Sequence, residues 1–225
     1  MNRIEYEKLK QETNRFVAFL GQLECSLIGF HSEECRSFKV EVLDRDEADS
    51  IFKAMKSNAT IMLYNLVEAC VRSTMSNYYV KFNYSRRSYT ETVKQLKKLW
   101  IQHSTKEFTE SNMSKNIFEM IEKAMDNEYT VSLDFEKYFS LSGNADLREI
   151  KSILDKHGIS YESSEFKNYG GALKSIKDMR NSLAHGNISF EENGKNLTVN
   201  DISQYKDQTY LCLEYFMDVV ESVNL

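Results

Sequence analysis

The chain has 225 residues, 41% of them hydrophobic, which is enough to bury a core in one large domain or two small ones. Its formal net charge of −5 argues against the generic, charge-driven nucleic-acid binding of a basic surface, so an RNA ligand would need a local site. No apolar run approaches the ~18 residues that span a bilayer, so we expect no membrane partner. Nothing at the N-terminus resembles a cleavable signal, and the four scattered cysteines lack the close pairing of a zinc site. We therefore expect a reduced, cytoplasmic protein without a bound metal or cofactor.

The first part of the chain predicts one amphipathic helix. Apolar residues recur at three- and four-residue spacing between 16 and 27, which favours a helix from Asn2 to about Phe30. Residues 38–42 alternate apolar and polar and indicate a brief strand or extended link. Asp44 or Asp46 can then cap the next helix by accepting from its free amides.

The remainder of the chain predicts mainly helices. Proline is absent, and residues 47 to about 82 form a breaker-free stretch that is apolar almost all round between Ile61 and Val71, as expected for a helix in the middle of a bundle. After a turn at 83–87, further helices are predicted at about 88–102, 112–125, 145–156, 171–185 and 201–223. Gly158 and Gly186 suit the left-handed position past a helix end.

Residues 188–199 differ from the rest because apolar and polar residues alternate there. Asn193-Gly194 lies at the centre and tolerates positive φ, so a small β-hairpin is predicted, with Ile188 opposite Val199. We find no repeat, low-complexity tract or clear linker. The sequence therefore predicts a mostly all-α single domain over residues 1–225, in which residues 1–46 form an N-terminal helix and connecting segment packed on a bundle.

Residues 180–186, Arg-Asn-Ser-Leu-Ala-His-Gly, place a guanidinium, an amide and an imidazole within about one and a half helical turns. At about 100° per residue, Asn181 and His185 share a side of the helix, whereas Arg180 lies roughly 140° from His185 and must reach around. A guanidinium can bind two phosphate oxygens, and an imidazole suits proton transfer near neutral pH. The stretch predicts a phosphate-handling site with Arg180 and His185 as catalytic residues and Asn181 in support.

The pattern of Arg, a polar residue, three more residues and His, with Asn after the Arg and Gly after the His, resembles the signature of the HEPN superfamily. These all-helical domains are named for higher eukaryotic and prokaryotic nucleotide binding. Residues 142–146, Ser-Gly-Asn-Ala-Asp, and 63–69 also resemble one prokaryotic branch, found mainly among toxin-antitoxin, restriction and other defence proteins. The resemblance spans roughly residues 50–220 and implies an antiparallel helical bundle, here with extra helices.

The resemblance also implies an activity. Many HEPN proteins are metal-independent ribonucleases that use an RNA 2′-hydroxyl to attack the adjacent phosphate, leaving a 2′,3′-cyclic phosphate. Two motifs usually face each other across a HEPN homodimer, and an antitoxin or defence protein can be a partner. Two alternatives stay open: a non-catalytic HEPN module that binds RNA or a protein partner, and a purely structural helix end in which Arg180 and His185 bond terminal carbonyls.

Two further groups are secondary candidates. Asn65, Glu68 and Arg72 form a polar stripe on the otherwise apolar central helix, where Glu68 could orient Arg72 or His185, or form a structural ion pair with Arg72. A basic cluster is a candidate RNA-binding surface, with Tyr79, Phe82, Tyr84 and Tyr89 as possible base-stacking residues, or alternatively a solvated helix face. The basic cluster comprises Arg86, Arg87, Lys94, Lys97 and Lys98.

Overall fold

The computed structural model describes residues 3–28, 44–106, 108–141, 143–166 and 169–225. The strand predicted at 38–42 lies outside these ranges. Within them the protein is all-α, as predicted, apart from one isolated antiparallel bridge between Ser88 and Thr130. The helices are α1 (Arg3–Ile28), α2 (Arg45–Tyr84), α3 (Lys94–Ser104), α4 (Met113–Met125), α5 (Phe135–Tyr138), α6 (Leu147–His157), α7 (Gly170–Ala184), α8 (Phe190–Lys195) and α9 (Val199–Glu221).

Helix α2 is the central element of the fold. It packs against α1, α7, α8 and α9, and its residues are buried on several faces, as the almost continuous apolar stretch from Ile61 to Val71 predicts. Asp44 caps its N-terminus by accepting from the backbone N–H groups of Asp46 and Glu47. Because α2 runs through the whole core, residues along its length can reach both ends of the molecule.

The predicted β-hairpin at 188–199 is wrong, because this segment forms helix α8. Ser189 caps the N-terminus of α8 by accepting from the Glu192 N–H. A serine three residues before a glutamate is a sequence signal for a helix start, but the alternation of apolar and polar residues favoured a strand instead. Asn193 is buried and donates to the Ser57 hydroxyl on α2. Gly194 lies directly against the α2 backbone at Lys53. The Asn-Gly pair therefore serves close helix packing and not a turn.

The third helix begins later than the predicted residue 88. The Ser88 N–H and hydroxyl both donate to the Glu91 carboxylate, and the Thr92 hydroxyl donates to the Ser88 carbonyl. These local side-chain bonds satisfy backbone groups in a turn and compete with a helical conformation. The regular helix consequently starts at Lys94. None of the described helices is long and apolar enough to cross a bilayer.

Asp146 connects α6 to α7. Its carboxylate is buried, caps α6 by accepting from the Arg148 and Glu149 N–H groups, and pairs with the Lys177 ammonium at 3.1 Å. Burial alone would raise the pKa of Asp146, but the hydrogen bonds from Glu149, Arg148 and Lys177 outweigh it and the pKa is lowered. The ionised carboxylate is therefore the form that the folded protein stabilises.

We expect Asp146→Asn to destabilise the protein by about 2 kcal/mol near neutral pH, because it removes the buried anionic partner of the Lys177 ammonium and leaves that ammonium only the exposed Asp178 carboxylate, at 3.2 Å. A lowered pKa gives stability that is present above the pKa of the unfolded carboxyl and is lost as the pH falls through the folded value. Denaturant unfolding from pH 7 down to pH 2 should therefore show the wild type losing part of its advantage over the variant in acid. An advantage that does not change with pH would contradict this assignment.

Candidate functional site

The last turn of α7 carries the motif that the sequence singles out. Arg180 and Asn181 lie within the helix, and His185 is its C-terminal cap residue. Gly186 follows with φ of +69°, the left-handed conformation predicted for this position. Leu173 and Ile176 are buried on the inner face of the same helix. The polar groups are therefore presented from a packed and rigid element.

The Arg180 side chain is held between α2 and the segment that precedes α6. Its guanidinium carbon lies 4.6 Å from the centre of the Tyr64 ring, a cation–π contact. Its Nη1 donates to the Asn181 side-chain oxygen at 3.0 Å and, at 3.4 Å, to the Gly143 carbonyl. Arg180 thus reaches away from the α7 axis in a defined direction, as its angular position on the helix requires.

Asn181 joins the same arrangement from the next position. Its side-chain oxygen accepts from Arg180, while its Nδ2 donates to the Asn144 side-chain oxygen at 3.0 Å. Together with the Asp146–Lys177 pair, these bonds fasten residues 143–146 along one side of α7. The sequence patterns at 142–146 and at 180–186 therefore lie at one place in the fold, although Ser142 itself is outside the described residues.

Tyr64 on α2 contacts the Arg180 guanidinium with its ring, and Glu68 on the same helix bonds the Tyr64 hydroxyl. The buried Tyr64 hydroxyl donates to the Glu68 carboxylate at 3.0 Å and accepts from the Ala145 N–H at 3.3 Å. Burial raises the pKa of Tyr64 to about 12, so the phenol stays protonated and can make both bonds. Sequence reasoning noted residues 63–69 but did not assign a role to Tyr64, since an aromatic residue on an apolar helix gives no signal beyond that of a core residue.

His185 is exposed, and within the described residues its imidazole makes no hydrogen bond or ring contact. The side chains of the other two histidines that the structure describes make contacts away from this site. His157 is buried against Tyr79 and the Ile153 carbonyl, where burial lowers its pKa to about 4. His103 stacks on Tyr138 with 3.5 Å between ring centres. Of these three histidines, His185 alone is exposed, and it lies at the end of the helix that carries Arg180.

The structural helix-end interpretation does not describe this site. That interpretation requires the side chains of Arg180 and His185 to bond the last carbonyls of α7. Arg180 instead bonds Gly143 and Asn181, and the carbonyls of Asn181, Ser182 and Leu183 accept from the backbone N–H groups of residues 185–187. Neither side chain is needed to complete the helix.

The residues of the polar stripe on α2 contact two different parts of the structure. Glu68 faces Tyr64, whereas Arg72 forms an ion pair with Glu136 at 3.6 Å and lies over the Phe135 ring. Asn65 is exposed. In the described residues Glu68 is therefore placed to orient Tyr64, and through that ring Arg180, and neither Arg72 nor His185 is its partner.

The basic cluster lies at the other end of α2. Arg86, Lys94 and Lys98 are exposed and Arg87 is half-buried, while Lys97 lies over the Tyr89 ring. Twenty residues separate Tyr64 from Tyr84, so the cluster is about 30 Å along α2 from Arg180. The proposed stacking role is wrong for two aromatics, Tyr79 and Phe82, because both are buried in the core; Tyr84 is exposed.

A family model described as MAE_28990-like HEPN matches residues 30–224. The chain belongs to the HEPN superfamily. The matched region contains α2 to α9 and therefore the whole arrangement around Arg180, Asn181 and His185. No curated protein and no solved structure matches the chain.

Proposed function

We propose that this HEPN protein is a metal-independent endoribonuclease that uses Arg180 and His185. One observation carries the proposal: Arg180 is fixed by Tyr64, Gly143 and Asn181, while the neighbouring His185 is exposed and uncommitted. A positioned cation for phosphate and an available imidazole on the same helix are the two groups that acid–base cleavage of RNA requires.

In this reaction the substrate 2′-oxygen attacks its own phosphorus as the bond to the 5′-oxygen breaks. The proton of the 2′-hydroxyl passes to a base and another proton is delivered to the leaving 5′-oxygen, giving a 2′,3′-cyclic phosphate and a 5′-hydroxyl. Within the described residues only Nη1 of Arg180 is engaged, so Nε and Nη2 are available to two phosphate oxygens. His185 transfers one of the two protons.

One imidazole cannot act as base and acid in the same step, so we propose that two copies of the motif meet in a homodimer and that each contributes a His185. His185 is at the exposed end of α7 and can reach a cleft between copies. We place the protein in a prokaryotic defence or toxin-antitoxin system, where an antitoxin or another defence protein is its partner. The acidic net charge fits an enzyme that needs a local substrate site.

A second candidate function is RNA or partner binding without cleavage. The observation that favours it is the lack of a hydrogen bond to the His185 imidazole within the described residues. Acid–base catalysts are commonly oriented by such a bond. The two functions separate in one assay. Purified protein in EDTA is incubated with total RNA, transfer RNA and a DNA of matched sequence, and the product ends are identified. Cleavage of RNA alone with cyclic-phosphate ends supports the nuclease, whereas RNA binding with no product supports the binding module.

Tyr64 is expected to act as a positioning residue for Arg180. Tyr64→Phe keeps the ring face and should lower the cleavage rate less than about tenfold, whereas Tyr64→Leu removes the cation–π contact and should lower it about 100-fold. The measurement is single-turnover cleavage at saturating RNA. In an Arg180→Ala background neither substitution should slow cleavage further, because the effect passes through Arg180. Additive losses in the double variants would contradict this role.

Glu68→Gln keeps the shape of the side chain and should reduce cleavage less than Tyr64→Leu, because the amide oxygen still accepts from the Tyr64 hydroxyl. Unchanged stability and unchanged cleavage in this variant would show that the Glu68 charge has no functional role.

The basic cluster is expected to contribute to RNA affinity. Charge reversal at Arg86 and Arg87 should weaken binding of a non-cleavable 2′-O-methyl RNA at low salt and reduce the slope of log affinity against log salt concentration by about 1 per lost phosphate contact. Lys195→Glu, an exposed reversal on α8, is the control. An unchanged salt slope would leave the cluster as a solvated surface.

A further inference from the structure

Helix α4 presents an apolar face to solvent. It has no buried residue, although it is strongly amphipathic. Its inner side is set by Asn116, Met120 and Ala124, which are half-buried. On the opposite side Phe118 is 62% exposed, Ile121 48% and Met125 77%. An exposed run of large apolar side chains on one helix is the typical mark of an interaction site.

The outward residues have the spacing of a helix-pairing seam. At about 100° per residue, Ser114, Phe118, Ile121 and Met125 fall within about 60° of one another, with alternating steps of four and three residues. Lys115 and Glu122 lie one heptad apart along the polar edge of this seam. Both side chains are exposed, and the ion pair that Lys115 forms with Glu119 at 3.8 Å is a solvent-exposed contact of little energy.

We infer that α4 is a docking surface for a second copy of this chain, in which the two α4 helices pair antiparallel about a two-fold axis. Antiparallel pairing that sets Phe118 against Ile121 of the second copy also sets Ser114 against Met125, a small residue opposite a large one. In the same register the two edges meet, and Lys115 lies opposite Glu122 of the second copy. The two-fold axis repeats each contact, giving two intermolecular ion pairs.

The charge pattern is what selects a second copy as the occupant. The polar edge of the seam carries the Lys115 cation and the Glu122 anion seven residues apart. Opposite charges therefore meet when the same edge of a second α4 helix runs antiparallel, and like charges meet when it runs parallel. The exposed fractions of Phe118, Ile121 and Met125 imply that pairing removes roughly 750 Å² of apolar surface from the two copies together, a size typical of weak and transient contacts. The contact is therefore sufficient for a weak, concentration-dependent association.

This interface is separate from the Arg180 site. Helix α4 lies beside Trp100 and Tyr129 near the end of α2 that carries the basic cluster, whereas Arg180 lies over Tyr64. The inference does not depend on the proposed nuclease activity. If copies also meet through α7, the α4 contact joins those dimers into larger assemblies.

Sedimentation velocity of the full chain from 1 to 200 μM tests the pairing. We expect Lys115→Glu and Glu122→Lys each to raise the dissociation constant at least tenfold, because each places like charges together twice. The double variant Lys115→Glu/Glu122→Lys should return it to within about threefold of the wild type, since the pairs are restored with exchanged signs. Phe118→Asp should abolish the association, and Lys195→Glu should leave it unchanged.

Each outcome decides the inference. A lower assembled mass in the single variants and its recovery in the double variant support antiparallel α4 pairing. A wild type that stays monomeric at 200 μM, or whose assembly is indifferent to Phe118→Asp, overturns it. A double variant that is as weak as the single variants overturns the register, and with it the second copy as the partner that the charges select.

Discussion

Replacing His185 by alanine is expected to lower RNA cleavage by about 100- to 10,000-fold, because general acid–base catalysis contributes a factor of that size. The fold should be unaffected. The side chain is exposed and makes no hydrogen bond within the described residues, so the change in unfolding free energy should stay within about 0.5 kcal/mol. The measurement is single-turnover cleavage of transfer RNA in EDTA, with circular dichroism and thermal unfolding of both proteins.

Arg180→Lys is the matched comparison for His185→Ala. Lysine keeps the positive charge but lacks the planar fork that binds two phosphate oxygens, so we expect a loss of at least tenfold in the cleavage rate. If the His185→Ala variant cleaved RNA at the same rate as the wild type, the cleavage would come from a contaminant or from another site. Cleavage that is lost together with the circular dichroism signal would indicate unfolding and not loss of a catalytic group.

Gly194→Ala is expected to destabilise the protein strongly. A Cβ atom at this position would lie 1.9 Å from the Lys53 carbonyl oxygen, and the obstacle is backbone of α2 that cannot rotate away. The two helices must separate, which costs at least about 3 kcal/mol from overpacking and from the loss of the buried Asn193–Ser57 hydrogen bond. Urea unfolding of the purified variant, or its failure to accumulate as folded protein, measures the effect.

Gly21→Ala is the control for Gly194→Ala. Gly21 lies inside α1, about two turns before its C-terminal end, and a Cβ atom there would meet nothing within 4 Å. Alanine is the better helix former, so this variant should gain about 0.5–1 kcal/mol. Equal and small effects at the two positions would show that α8 does not approach α2 as closely as described.

The long helices and their ends could be predicted from local chemistry. The absence of proline and the period of the apolar residues define α2, and Asp44, Gly158 and Gly186 cap helices as predicted. The β-hairpin at 188–199 was the main failure. Alternation of apolar and polar residues over so short a segment does not distinguish a strand from a capped helical turn, and the choice depended on the close contact of Gly194 with α2.

The all-α class, the family resemblance and the residues Arg180, Asn181 and His185 could be identified without a structure, because they follow from periodicity and from a motif contained within two helical turns. The surroundings of these three residues depend on the packing of the whole chain. Tyr64 and residues 143–146 are about 120 and 40 positions away along the chain, and no local pattern states that they meet Arg180. Packing of α2 and α6 against α7 brings them together, since burial of apolar faces and pairing of Asp146 with Lys177 depend on the whole fold.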